Sequence, residues 1–341
     1  MTPGESRRNE RRRSWLPVAA DAGVEVTASP PPRPRDPLLT ALPASVDRFA
    51  VVIEASAIRN SPIGDQLIDC LFGEPKLARF RDAGFDPLTQ IDRIAVADDA
   101  VFITGDLKDT RWMDALARER APQRAAYGPH GELFEVVSDD GTTTETLAGV
   151  WKGQLLIFDR HRDTAQVKRV LDRLDGAGPS RESALAETQA FGELYGVVKS
   201  DGLRQPPFDE FLRLDDQLGG TLRRQARQIE LHMDISSDVG LVADIQGTGE
   251  AGSETLRLGT SATLALARKV GRAAGEDDLA ELFEGMRTVP GDGGASFRLE
   301  AGLSNALVSR WLKSCVESHR ADEAARAARA AAVASDAGRP R

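Results

Sequence analysis

The chain spells one short pattern twice, 141 residues apart. In the first half, Leu155-Leu156-Ile157-Phe158 leads through a polar link to Asp163, followed by apolar residues at Val167, Val170, Leu171 and Leu174. In the second half, Ser296-Phe297-Arg298-Leu299 leads to Ser304, followed by Val308, Trp311, Leu312 and Cys315. Each copy reads as a strand, an Asp or Ser cap, and a helix whose i, i+3, i+4, i+7 stripe makes one buried face. A unit repeated at this distance constrains architecture before chemistry. The expected fold is α+β: two similar lobes, each an antiparallel-rich sheet with helices on one face, of the split βαβ kind.

The rest of the chain divides around that repeat. Residues 1–37 are rich in Pro and Arg and end in a polyproline-like spacer, Ser29-Pro30-Pro31-Pro32-Arg33-Pro34, with nothing to bury. The first lobe spans 38–176. It is expected to hold a strand at Phe49 to Glu54 and a helix capped by Ser61-Pro62 that carries Ile63, Leu67, Ile68, Leu71 and Phe72. Asp98-Asp99 marks a hairpin turn between Ile94-Ala95-Val96 and Val101-Phe102-Ile103. Asp109 is expected to cap a helix with Trp112, Met113 and Leu116, and Asp139-Asp140-Gly141 to close a hairpin. The tract Gly176-Ala177-Gly178-Pro179-Ser180 marks the seam. The second lobe, 177–318, repeats the order with a strand at Leu194 to Val198, a helix at Phe208 to Leu218, a hairpin of 229–235 with 241–245, and helices near 253–274 and 279–283. Residues 319–341 form an Ala/Arg-rich tail.

Charge narrows the function classes. Of 44 basic and 53 acidic side chains, the segment 36–316 holds 32 and 45, a net of −13. Such a body repels phosphate backbones and anionic lipid heads, which disfavours a nucleic-acid or polybasic-membrane role. No apolar run reaches membrane-span length. Arg7, Arg8 and Arg11 to Arg13 resemble the charged start of a signal peptide, but Trp15-Leu16-Pro17-Val18-Ala19-Ala20 is too short for its apolar core. A start upstream of Met1 would produce the same appearance. Cys70 and Cys315 both fall on apolar helix faces, and whether they pair depends on Cα geometry that the sequence does not contain.

The sharpest chemical motif is Gly247-Thr248-Gly249-Glu250-Ala251-Gly252, a G-x-G-x-x-G after a strand and before a helix. Gly247, Gly249 and Gly252 are the candidate cofactor-binding residues. The preceding strand argues against a nucleotide: Leu241, Ala243 and Ile245 alternate with Val242, Asp244 and Gln246, whereas a Rossmann first strand is apolar on both faces. His161-Arg162-Asp163 matches the start of a kinase catalytic loop, but Lys168 stands where an asparagine is needed, and Asp163 is better used as a helix cap. His130-Gly131-Glu132 is half of a deaminase zinc motif without its cysteines. His232, with Glu230 and Asp234, reads as part of a solvated strand face. No catalytic residue, metal site or cofactor is therefore assigned.

The order Leu42-Pro43-Ala44-Ser45-Val46, a strand, Ser61-Pro62, then Phe85-Asp86-Pro87 leading to Ile91-Asp92-Arg93-Ile94-Ala95-Val96 resembles a loosely defined group of bacterial envelope proteins, many of them predicted lipoproteins of myxobacteria and relatives, over residues 40–315. The resemblance implies an exported, duplicated α+β protein behind a flexible spacer, located in the periplasm or cell envelope, and brings no catalytic residues. The chain departs from it in having no lipobox cysteine near its start, and without export it would be cytoplasmic. The expected function is non-catalytic binding or scaffolding of a protein or small molecule. The rival is a nucleotide-binding module or enzyme centred on the Gly247–Gly252 turn.

Overall fold

The computed structural model describes residues 36–71, 78, 81–82, 84–109, 122–137, 144–176, 183–204, 216–235, 238–275, 277–291 and 293–337. The strands are β1 (Phe49–Ile53), β2 (Ile91–Ala97), β3 (Ala100–Gly105), β4 (Gln123–Tyr127), β5 (Gly131–Val137), β6 (Thr144–Trp151), β7 (Leu155–Asp159), β8 (Leu194–Lys199), β9 (Ala226–Asp234), β10 (Val239–Gly247), β11 (Met286–Pro290) and β12 (Ser296–Leu303). The helices are α1 (Pro37–Ala41), α2 (Ala55–Arg59), α3 (Gly64–Leu71), α4 (Pro87–Gln90), α5 (Thr164–Leu174), α6 (Asp216–Gln225), α7 (Glu250–Ala274), α8 (Asp277–Glu284) and α9 (Asn305–Ala337). No helix among the described residues is long and apolar enough to cross a membrane.

The α+β class and the antiparallel pairing are as expected, but the halves do not form separate sheets. All twelve strands form one sheet, in the order β11-β12-β10-β9-β8-β1-β2-β3-β7-β6-β5-β4. The join is made by β1 and β8, which pair antiparallel from Phe49↔Val198 to Ile53↔Leu194. Each would otherwise present a row of unpaired backbone groups, so pairing the two removes two edges at once. Outward from this join the order is β1-β2-β3-β7-β6 on one side and β8-β9-β10-β12-β11 on the other, with β5 and β4 added to the first.

The sheet's two faces differ. Its first face carries Ala50, Val52, Ala95, Ala97, Phe102, Leu155 and Ile157, covered by Leu38 and Leu42 around α1 and by Val167, Val170 and Leu171 of α5. Asp163 caps α5 as expected, its carboxylate accepting from Ala165 N at 2.8 Å. The second face is apolar on both sides of the join, through Phe134, Ala148, Val150 and Leu156 in one cluster and Ile229, Ala243, Ile245 and Phe297 against Leu222 and Leu256 in another.

One local expectation changes, and others fall wholly or partly outside the described residues. The helix expected from Ser61-Pro62 begins at Gly64, behind an additional one-turn helix α2, and Ser61 Oγ finds no partner among the described residues. The tight turn explains the delay, since a Cβ at Gly64 would sit 2.3 Å from the Ile58 carbonyl oxygen. The helix expected at 208–218 is described only as α6, which ends at Gln225. The helix after Asp109 and the Asp139-Asp140-Gly141 turn lie outside the described residues, as do 177–182 of the expected seam.

Cys70 and Cys315 are joined by a disulfide, with their Cα atoms 5.5 Å apart. It ties α3 of the first half to α9 of the second, beside an apolar cluster of Ile63, Ile235, Val239 and Leu312. The bridge spans 245 residues of sequence, and closing so long a loop in the unfolded chain is worth up to about 5 kcal/mol. Replacing both cysteines (C70A with C315A) is expected to lower the denaturant midpoint by an amount equivalent to about 3–5 kcal/mol. The same unfolding curve recorded with reductant on the unmutated chain should fall by a similar amount.

Candidate functional site

A bulge in β2 builds the best-formed polar site. The register slips between Ile91 and Arg93, so Ile91 joins the second-face cluster while Arg93 stands on the first face opposite Thr104 of β3. Arg93 is then in reach of Asp36, the residue that caps α1. The Asp36 carboxylate accepts from Leu38 N at 2.8 Å and from Arg93 Nη2 at 2.9 Å, and Arg93 Nη1 donates to its other oxygen. Burial works to raise the Asp36 carboxyl, but the bonds and charge of Arg93, with the backbone amides of Leu38 and Leu39, together outweigh it and hold the group below the ordinary carboxylate range. Nearby, Tyr195 Oη donates to Glu54 Oε1 at 3.0 Å. Burial is the main cause that pushes both groups up, and the Glu54 charge adds to the shift at Tyr195.

Beside Arg93 lies a cleft of about 350 Å³. Arg93, Thr104 and Leu155 form a row across β2, β3 and β7 at its floor. Asp92, Asp106, Lys108 and Gln154 stand around it. Thr104 is 9% exposed and its hydroxyl has no hydrogen-bond partner among the described residues. The sequence carries a trace of this: Arg93 and Thr104 are polar residues in positions that continue the buried series Ala95, Ala97 and Ala100, Phe102.

The glycine turn has a different character. β10, which precedes it, runs antiparallel to both β9 and β12, so no parallel βαβ unit surrounds the motif. Gly247 and Gly249 line a second cavity of about 560 Å³ with Arg227, Thr248 and Ser296, while Gly252 faces Thr248. A Cβ at Gly247 would lie 2.4 Å from Ser253 N, and Gly249 has φ +136°. Gly247 and Gly249 are thus required by a strand that turns directly into α7.

His232 is not on a wet face: it is 4% exposed, stacked on the Phe191 ring with centroids 3.6 Å apart. Its Nε2 lies 3.0 Å from Glu230 Oε1, and Gln189 Nε2 donates to the other Glu230 oxygen at 2.9 Å. The chain at 187–193, which has no apolar alternation to announce it, supplies this cover. His130 sits in the β4–β5 turn, with Nδ1 2.9 Å from Asp175 Oδ1, which also accepts from Trp151 Nε1 at 2.8 Å. Burial works to raise Asp175, but those two partners hold it down. Asp98 accepts from the backbone of Asp47, Arg48 and Phe49, which accounts for one acid of the hairpin pair. Among the described residues no group of three or more His, Cys, Asp or Glu is arranged to hold a metal ion.

Two substitutions test this description. Asp36→Asn should cost about 2 kcal/mol at pH 7 by breaking the charged pair with Arg93, since asparagine keeps the α1 cap. A carboxyl held low in the folded state stabilises above its unfolded value near 4 and loses that effect as pH falls through the folded value. The gap between the variant and the parent should therefore narrow below about pH 4 in denaturant titrations. Gly247→Ala should cost about 2 kcal/mol or more in the same assay, because backbone must move to admit the methyl group.

No family model and no curated protein matches the chain. Among solved structures, TP0453 in crystal form III is similar at a TM-score of 0.44 and 12% identity, covering 82% of this chain and 99% of that one. TP0453 in crystal form IV gives 0.42 and 10%, covering 82% and 96%.

Proposed function

We propose that this chain is a non-catalytic binding or scaffold protein of the bacterial cell envelope, and that it holds a protein partner along the outer side of α7. One observation carries the binding role: Leu258, Leu266 and Val270 are 53%, 61% and 55% exposed on that helix. They are spaced by eight and four residues, so they stand on one side, with exposed Ala262 between them. Large apolar side chains gathered on one exposed helix face mark an interaction surface. A second helix could lie against such a stripe, because Ala262 and Gly259 leave room for close approach. The acidic body favours a protein over anionic lipid as the partner.

The disulfide supports the location. Such bonds persist in oxidising compartments and are rare in a reducing cytosol, so a bridge between α3 and α9 suits an exported protein.

A photo-crosslinking residue at position 266, followed by fractionation of the producing cells, tests both parts. The expected result is a discrete heterologous adduct in the envelope fraction, lost on Leu258→Asp, with both cysteines unreactive to thiol reagents until reduced. Because Leu258 is exposed, that variant should stay within about 0.5 kcal/mol of the parent in stability. A cytosolic protein with two reactive thiols, or no adduct at 266, would sink the reading.

A further inference from the structure

We propose that the cleft above Arg93 and Thr104 binds a small zwitterion bearing one ammonium and one carboxylate, of the free α-amino acid class. The site lies on the first face of the sheet, and its argument is independent of the α7 surface.

The first element is an unmet demand. Thr104 is withdrawn from water, lines the cleft, and has a hydroxyl with no partner among the described residues. A buried hydroxyl left in that state destabilises the fold. Its neighbours in the same row of β3, Ala100 and Phe102, are apolar, and valine would fill the same volume without that cost. The residue is suboptimal for packing, and a turn of its side chain toward the cleft would let the hydroxyl donate to, or accept from, a ligand.

The second element is the charge pattern. Among the described residues the lining has two cations, Arg93 and Lys108, and two carboxylates, Asp92 and Asp106. Arg93 is already engaged by Asp36, which leaves Lys108 as the principal attraction for a carboxylate and Asp92 and Asp106 for an ammonium. A dianion would meet both acids, and a dication both bases. Only a molecule with one charge of each sign gains from both sides. Among the described residues no aromatic ring lines the cleft, so none of them offers a sugar a stacking platform.

The third element is a rim held in place. Gly105 N donates to Gln154 O at 3.1 Å, Asp106 N to Gln90 O at 3.0 Å, and Leu107 N to Gly153 O at 2.9 Å. Three successive backbone bonds fix the segment that presents Asp106 and Lys108. Gly153, at φ +64°, packs against Lys108, where a Cβ would approach its Cγ to 3.1 Å. A rim ordered before binding lowers the entropy cost of binding, and about 350 Å³ suits a ligand of this size.

Thermal unfolding of the full chain with each of the common L-amino acids tests the site, with propionate, propylamine and glucose as controls. At least one amino acid is expected to raise Tm by about 5 °C or more at a hundredfold excess over Kd, and the controls not at all. Thr104→Val should leave the unliganded Tm unchanged or higher while weakening the ligand about tenfold, and Lys108→Met should weaken it by a similar factor. Calorimetry on the parent and both variants supplies the constants. The proposal is overturned if no amino acid shifts Tm, if propionate, propylamine or glucose does so equally, or if both variants bind as the parent does.

Discussion

The antiparallel pairing of β1 with β8 is the contact on which the rest of the structure depends. Five residue pairs, centred on Val51 opposite Gly196, convert two half-sheets into one. Gly196 is suited to the centre of the join, because a Cβ there would lie 2.4 Å from the Ala50 carbonyl oxygen. The apolar clusters cross the same line: Tyr195 and Val197 of β8 complete the core under α1 and α5, and Phe49 of β1 packs against the cluster of Val198 and Leu256. Separating the strands would expose both cores together, so neither half is expected to keep its core without the other. The Cys70–Cys315 bridge adds a covalent tie between the same two halves.

The two halves share a strand order about this join but treat the first face differently. After β7, four residues carry the chain into α5, which lies back over Leu155 and Ile157. After β12 a single residue, Ser304, intervenes before α9, and Val308 and Leu312 pack instead with Ile63, Val239 and Ile235 near α3. The disulfide lies beside that choice. On the first face of β10 and β12 charged side chains are cross-paired, Asp244 with Arg298 and Glu300 with Arg287, and Val242 is the one large apolar residue among them. The sequence of these strands agrees with this: among the described residues no helix packs there, and no apolar row is provided for one to bury.

Legibility in the sequence followed how many faces of an element are buried. The helices of the repeated units were readable because each has one apolar side at a clear period, while β7, the 94–103 hairpin and the long helix before Gly275, apolar on more than one side, were readable from the caps, turns and glycine that bound them. The two strands with no such signal, β4 and β11, are the outermost of the sheet. Each is paired on one side only and is half-exposed, so Gln123-Arg124-Ala125-Ala126-Tyr127 and Met286-Arg287-Thr288-Val289-Pro290 show no alternation, and Pro290 suits an edge. The join itself was illegible, since β1 and β8 look alike whether they begin two sheets or share one. His232 was misread for a related reason: its alternation is that of a wet face, and the cover comes from Phe191, 41 residues away in sequence and outside any periodic element.

The glycine turn and the Arg93 cleft show why a motif and a site need not coincide. Gly247-x-Gly249-x-x-Gly252 matches a chemical fingerprint, yet two of its glycines have a steric reason to be there: Gly247 lies against the Ser253 backbone and Gly249 has φ +136°, while Gly252 meets only the Thr248 hydroxyl, which can turn aside. Replacing Gly247 or Gly249 by a larger residue would disturb the turn whatever it binds. At the cleft the reasoning runs the other way. Thr104 could be exchanged for an apolar residue to the benefit of the fold, and Lys108 stands exposed on a rim that its backbone bonds already hold. Local sterics explain Gly247 and Gly249 and do not explain the threonine. A polar group kept where packing would reject it is stronger evidence of a ligand than a pattern that packing alone would select.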